Sequence, residues 1–190
     1  MMVQTDARPG RLLERAKELN ALRFGEFTLT SGQKSTYYFD GRPLSMDPEG
    51  ASLISSLFLD QIIRAKCQAF GGPAVGAVPI VGALALRSWQ DKAGVSGFFV
   101  RSESKKHGMG KQIEGAIEPG MRVAMFDDTV STGGSLLEAI DAVIEFGCEI
   151  GLVLCVLDRQ QGGSAEVRRR GLRFYSVWQA TAEGEIIPTR

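Results

Sequence analysis

The chain has little of what several enzyme classes depend on. It contains one histidine, His107, which excludes an HExxH zinc peptidase and leaves a Ser-His-Asp hydrolase dependent on that residue alone. Its three cysteines, Cys67, Cys148 and Cys155, are odd in number, follow no CxxC spacing and sit in apolar runs. They read as buried reduced thiols, not as a disulfide framework or a zinc site. There is no GxxxxGK[ST], and Gly71-Gly72-Pro73 is not a GxGxxG fingerprint, so neither common nucleotide loop is present. The most apolar stretch, Ala74 to Leu86, holds Pro79 and two glycines and is too short to cross a bilayer, and the N-terminus has no apolar signal segment. A cytoplasmic protein with no membrane partner is expected. Net charge is also missing: 22 Lys+Arg balance 22 Asp+Glu. The global positive field of a non-specific nucleic-acid binder is therefore absent, and Arg168-Arg169-Arg170 reads as a solvated face, so no nucleic-acid partner is expected.

What is present is ordinary globular composition, 44% hydrophobic and 23% charged over 190 residues, enough for one domain with a sizeable core. No repeat or low-complexity tract interrupts it. Arg11 to Phe24 has the pattern of a helix. Phe27-Thr28-Leu29 and Tyr37-Tyr38-Phe39 flank a Ser31-Gly32-Gln33-Lys34 turn, predicting a short hairpin outside the main sheet. These residues form a small N-terminal hood, roughly 1–45, ahead of a core of roughly 46–178. Asp47-Pro48-Glu49 opens a helix reaching about Ala65, with Asp47 as N-cap and Pro48 in the first turn. Strands are then expected at Gln68 to Phe70, Val95 to Val100, Arg122 to Phe126, Ile150 to Leu157 and Leu172 to Val177. Helices are expected at Ile80 to Lys92, Ser135 to Phe146 and Ser164 to Arg170. Val123 to Phe126 and Leu152 to Leu157 are apolar at every position, as in parallel strands covered on both faces. The fold class is therefore α/β, a doubly wound and mainly parallel sheet with flanking helices, whose ligands sit beyond the carboxyl ends of the strands.

After Phe126 come Asp127-Asp128, then Thr129, Val130, Ser131, Thr132, Gly133, Gly134 and Ser135, then a helix. Consecutive N–H groups, glycines, hydroxyls and a helix start make a phosphate cradle. Carboxylates beside a phosphate must address something neutral or cationic, which means sugar hydroxyls or a magnesium ion. A phosphorylated pentose satisfies both, whereas a merely capped turn would leave the whole set unexplained. Val123 to Ser135 resembles the phosphoribosyl pyrophosphate (PRPP) signature of type I phosphoribosyltransferases. The resemblance implies that Asp127 and Asp128 hold the ribose hydroxyls and that Thr129 to Ser135 wraps the 5-phosphate.

Between Val100 and Ile113, Arg101, Lys105, Lys106 and Lys111 surround His107 among glycines. On composition this is a solvated loop; beside a phosphate cradle it suits a lid closing on a polyanion. Arg101, Lys105, His107, Gly108 and Ile113-Glu114-Gly115 are similar to the loop of the orotate-using branch of that family. The same branch is resembled by Phe27-Thr28-Leu29, Ser31-Gly32 and Ser35 with Tyr37 to Asp40 in the hood, by Gly72-Pro73-Ala74 through Pro79 in the pyrophosphate-side loop, and by Leu157-Asp158-Arg159-Gln160. The resemblance implies that Arg101, Lys105 and His107 grip the pyrophosphate and that Ser131 and Arg159 meet orotate. It further implies Mg2+ bridged by the substrate, not held directly by side chains, and a homodimer sharing the basic loop. Lys105, His107 and Asp128 are the expected catalytic groups. A guanidinium suits the orotate carboxylate, although Arg159 alone could be an ion pair with Asp158. Tyr38 and Phe39 are either aromatics at the base or core. Thr30, Gly76 and Ser102 stand where many family members carry lysine, with Lys34, Lys106 and Lys111 as candidates to replace the charge. A purine-base enzyme and a PRPP-sensing regulator are the rival readings.

Overall fold

The computed structural model describes residues 6–28, 32, 34–102 and 112–189. Helix α1 (Arg8–Glu18) opens the chain and is followed by strands β1 (Leu22–Thr28) and β2 (Lys34–Phe39), an antiparallel pair with no partner in the main sheet. The helix expected over Arg11 to Phe24 therefore ends early. Leu19 closes it, Asn20 turns the chain at φ 54°, and Arg23 and Phe24 pair with Tyr38 and Tyr37 instead. Asparagine tolerates that left-handed turn, and the cross-strand aromatics outweigh helix propensity in the residues after it. A one-turn helix α2 (Gly41–Ser45) leads to α3 (Pro48–Arg64), which starts as expected, the Asp47 carboxylate accepting from the Gly50 N–H at 2.9 Å.

Among the described residues the core is a seven-stranded sheet with order β5-β4-β3-β6-β7-β8-β9. Its five central strands are parallel: β4 (Ser96–Val100), β3 (Ala69–Pro73), β6 (Arg122–Val130), β7 (Glu149–Asp158) and β8 (Phe174–Ala180). The edges β5 (Ile113–Gly115) and β9 (Ile186–Pro188) run antiparallel and carry no signal in the sequence pattern. Helices α4 (Ala77–Gln90), α5 (Gly134–Glu145) and α6 (Gly163–Arg169) cross between the strands. Pro79, expected in a loop, lies in the first turn of α4, where an N–H is not missed.

The unbroken apolar runs serve two cores, one on each face. Phe126, Leu154 and Val156 join Phe58, Ile62 and Ile80, while Met125, Val153 and Cys155 join Leu136, Ile140 and Val167. The hood is tied to the first of these. Trp178 on β8 is fully buried, donates from its indole N–H to the Pro9 carbonyl at 3.0 Å and meets Phe39 edge-on at 6.0 Å. Among the described residues no helix is long and apolar enough to cross a membrane.

Candidate active site

Strand β6 does not stop at Phe126. Its ladder with β7 continues through Asp127↔Cys155 and Thr129↔Leu157 to Val130↔Asp158, so the carboxylate pair is part of the sheet and the loop is only Ser131 to Gly133. A strand paired on both sides in its first half is held rigid, and the sheet carries Asp127 and Asp128 to its carboxyl edge without a hinge. Gly133, at φ 82°, turns the chain into α5, whose first turn has no side-chain cap and no acidic residue. Its free N–H groups and positive end therefore remain available to an anion.

The loop, the carboxylates and the hood enclose a cavity of about 670 Å³ lined by Tyr38, Phe39, Asp40, Gly41, Arg42, Asp127 to Thr129, Ser131 to Leu136, Arg159 and Gln161. Nearly all of the 127–135 stretch is thus brought together. Val130 is the exception: its side chain is buried in the core and only its carbonyl is engaged, accepting from the Arg159 N–H at 2.8 Å. Arg101 lies outside this cavity, beside a smaller one that shares Ser135, with its guanidinium 3.7 Å from Glu114. Lys105 and His107, like Thr30, Lys106 and Lys111, fall outside the described residues. Lys34 is exposed on β2 and does not line the cavity.

Asp127 is buried, and burial together with the neighbouring Asp128 charge pushes its carboxyl far above the usual range. Burial raises Asp128 as well. Neither forms an ion pair among the described residues; the Asp128 N–H donates to Asp127 Oδ1 at 2.9 Å. Two glycines press on the pair. A Cβ at Gly41 would sit 2.5 Å from Asp128 Oδ2, and one at Gly76 would sit 2.7 Å from Asp127 Oδ1. Gly76 is thereby packed against the pair, although it does not itself line the cavity.

At the opposite wall, Arg159 follows β7. Its Nη2 donates to the Phe39 carbonyl at 3.1 Å, its guanidinium carbon lies 5.4 Å from the centre of the Tyr37 ring, and its Nε is buried without a hydrogen-bond partner. Asp158 is not its ion-pair partner: that carboxylate is buried and accepts from Gln160, from the backbone N–H at 2.9 Å and the side-chain amide at 2.8 Å. Phe39 is buried in the core and lends its carbonyl, while Tyr38 is half-buried, lines the cavity and packs at a tilt against Phe27, with ring centroids 5.8 Å apart. The tyrosine that holds Arg159 is Tyr37, which alternation along β2 turns toward the core. Arg42 and Gln161 were not legible as site residues.

A model of the phosphoribosyl transferase domain matches residues 47–174. The chain belongs to the phosphoribosyltransferase family. Membership makes it a glycosyltransferase-type enzyme of the expected fold. The likeness to orotate phosphoribosyltransferases is close: that of Rhodopirellula baltica is 41% identical over 84% of this chain and 86% of its own. Among solved structures, the Mycobacterium tuberculosis orotate phosphoribosyltransferase in complex with Fe(III) dicitrate superposes with a TM-score of 0.77, at 32% identity, covering 90% of this chain and 96% of that one. The same mycobacterial enzyme in complex with PRPP gives 0.75 at 30% identity, with the same coverage of both chains.

Proposed function

We propose that this phosphoribosyltransferase moves the 5-phosphoribosyl group from PRPP to orotate, giving orotidine 5′-phosphate and pyrophosphate, as in pyrimidine nucleotide synthesis. The observation that carries the choice of base is Arg159 on the wall of the cavity that holds the carboxylate pair and the anion loop. A buried donor without an acceptor costs about 1–3 kcal/mol. An incoming carboxylate supplies the acceptor that Arg159 Nε lacks, and orotate bears one where the nucleic-acid bases do not.

In this reading Ser131 to Ser135 and the start of α5 bind the 5-phosphate, and Asp127 and Asp128 accept from the ribose hydroxyls. Ser131 and Arg159 orient orotate under the Tyr38 and Phe39 wall, so that its ring nitrogen faces C1 of the ribose. No residue serves as a covalent nucleophile; the bond from C1 to the diphosphate weakens as positive charge develops on the sugar, and the carboxylates beside it favour that charge. Arg101, Lys105 and His107 are assigned to the departing pyrophosphate by family resemblance, Lys105 and His107 with Asp128 as the catalytic groups.

The hard oxygens of buried Asp127 and half-buried Asp128, which form no ion pair among the described residues, suit Mg2+ bound with the substrate. They would hold it through ribose hydroxyls and water, and the ion would neutralise charge on the leaving group. The reading includes a homodimer sharing the basic loop, which the exposed Val75, Val78, Leu86 and Trp89 on and before α4 support, Trp89 being 82% exposed. A cytoplasmic setting fits the three free, buried thiols.

The test is loss of orotate absorbance with purified protein, PRPP and Mg2+, run beside adenine, hypoxanthine and uracil. Consumption of orotate alone is expected. Consumption of a purine, or of no base by protein that still binds PRPP, overturns the assignment.

A further inference from the structure

Two arginines line the cavity among the described residues, and only Arg159 has a task so far. Arg42, the second residue of α2, is fixed by Asp40 at the helix N-cap. The Asp40 carboxylate accepts from the Arg42 backbone N–H at 3.0 Å and from Nε and Nη2 at 2.8 Å each. Its Nη1 makes no hydrogen bond among the described residues, and the side chain stays 59% exposed. Gly41, between the two, is the residue pressed against Asp128. The guanidinium is therefore anchored at the mouth of the cavity on the Asp128 side, with a free edge. Arg42 and Asp128 are close enough to feel each other's charge.

The stereochemistry of PRPP decides what lies there. Its C1 is α-configured, so the diphosphate is cis to the 2- and 3-hydroxyls and shares their face of the ring. Carboxylates that hold those hydroxyls also face the leaving group, while the base arrives from the opposite side. Asp40, Asp127 and Asp128 all line the cavity, and a diphosphate held near them needs a cation. Gly76 brings no side chain to the pair, and Lys34 lies off the cavity.

We propose that Arg42 binds the diphosphate of PRPP on the leaving-group side, and that Asp40 is the positioning residue that holds its guanidinium there. This rests on reading the cavity as a PRPP site. A planar guanidinium held along one edge by a carboxylate presents its other edge in a fixed direction, and charge gathered on the departing pyrophosphate is where such a group lowers the barrier.

The experiment measures calorimetric binding of PRPP, of pyrophosphate with Mg2+, and of orotidine 5′-phosphate to the whole protein. It compares wild type, Arg42→Gln, Arg42→Lys and Asp40→Asn, with a thermal scan for each. Loss of a charge-assisted contact in Arg42→Gln should weaken pyrophosphate and PRPP about tenfold or more. Orotidine 5′-phosphate, which has no diphosphate, should bind within about twofold of wild type, Arg42→Lys should recover part of the loss, and Asp40→Asn should cost about threefold. Unchanged pyrophosphate affinity in Arg42→Gln overturns the proposal. So does an equal loss for orotidine 5′-phosphate, which would mark a disturbed hood, and Arg42→Lys decides the matter should the glutamine variant unfold. Wild type that binds PRPP but turns over no orotate refutes the choice of base and leaves Arg42 to be judged by these affinities. Wild type that binds no PRPP refutes both.

Discussion

At one end of the cavity, a single unbroken stretch, Asp127 to Ser135, supplies the carboxylates, the turn and the helix start. At the other, Arg159 reaches the Phe39 carbonyl across 120 residues of chain and rests on Tyr37. The first end is built by local geometry on a rigid central strand. The second exists only once the hood has docked on β8 through Trp178, Pro9 and Phe39. On the proposed reading the first end, which takes phosphate and ribose, should be common to any base the fold accepts, and the hood end should carry the choice among bases. Variants at the two ends should fail differently.

The largest effect is expected from Asp128→Asn. Removing a carboxylate that the proposed reading assigns to the ribose hydroxyls should lower turnover about 100-fold or more with any base, together with PRPP affinity. Arg159→Ala should cost about 30-fold in kcat/KM for orotate, the loss of a paired carboxylate contact, with PRPP affinity within about threefold. Steady-state kinetics with each substrate varied in turn checks both. Equal losses for both ligands in both variants would break the division between the two ends.

A smaller effect sharpens the shape argument. Gly76 has ordinary helical φ and ψ, so alanine costs the backbone nothing there, but its Cβ would meet Asp127 Oδ1 at 2.7 Å. Gly76→Ala should raise the PRPP KM about fivefold by shifting the carboxylate, with the orotate KM and the melting temperature nearly unchanged. An unchanged PRPP KM would mean that the pair can move without loss.

How much of this was legible follows the same division. The parallel sheet could be read from runs that are apolar at every position, and the anion loop from the order of acids, hydroxyls and glycines, because both are contiguous signals. The boundary at Phe126 was drawn too early because acidic residues usually end a strand. Here pairing with β7 continues to Val130 and overrides that preference. Arg42 and Tyr37 carry no local signature: an arginine after an aspartate–glycine pair reads as a turn, and only the fold brings Gly41 against Asp128. The edge strands β5 and β9, three residues each, are too short for a period to show.

The subtlest prediction concerns what the buried pair does to stability. Burial and the Asp128 charge push the Asp127 carboxyl well above its ordinary value of 3.8 in the folded chain. Below the ordinary value the group is protonated in both states and costs nothing. Above it, up to the raised folded value, the folded chain holds a proton that the unfolded chain has released, so stability falls as pH rises through this window. Asp127→Asn removes the ionisable group and should melt higher than wild type, by little at pH 4 and by a margin that widens as pH rises toward 8. Ion pairs elsewhere, such as Arg15–Asp47 at 2.6 Å, shift in both proteins alike and cancel from the difference. A gap that does not grow with pH would mean that the Asp128 N–H, donating at 2.9 Å, compensates the buried charge in full. A growing gap would show a fold that keeps the carboxylate proposed for the sugar at the expense of its own stability, a strain that binding of ribose hydroxyls would relieve.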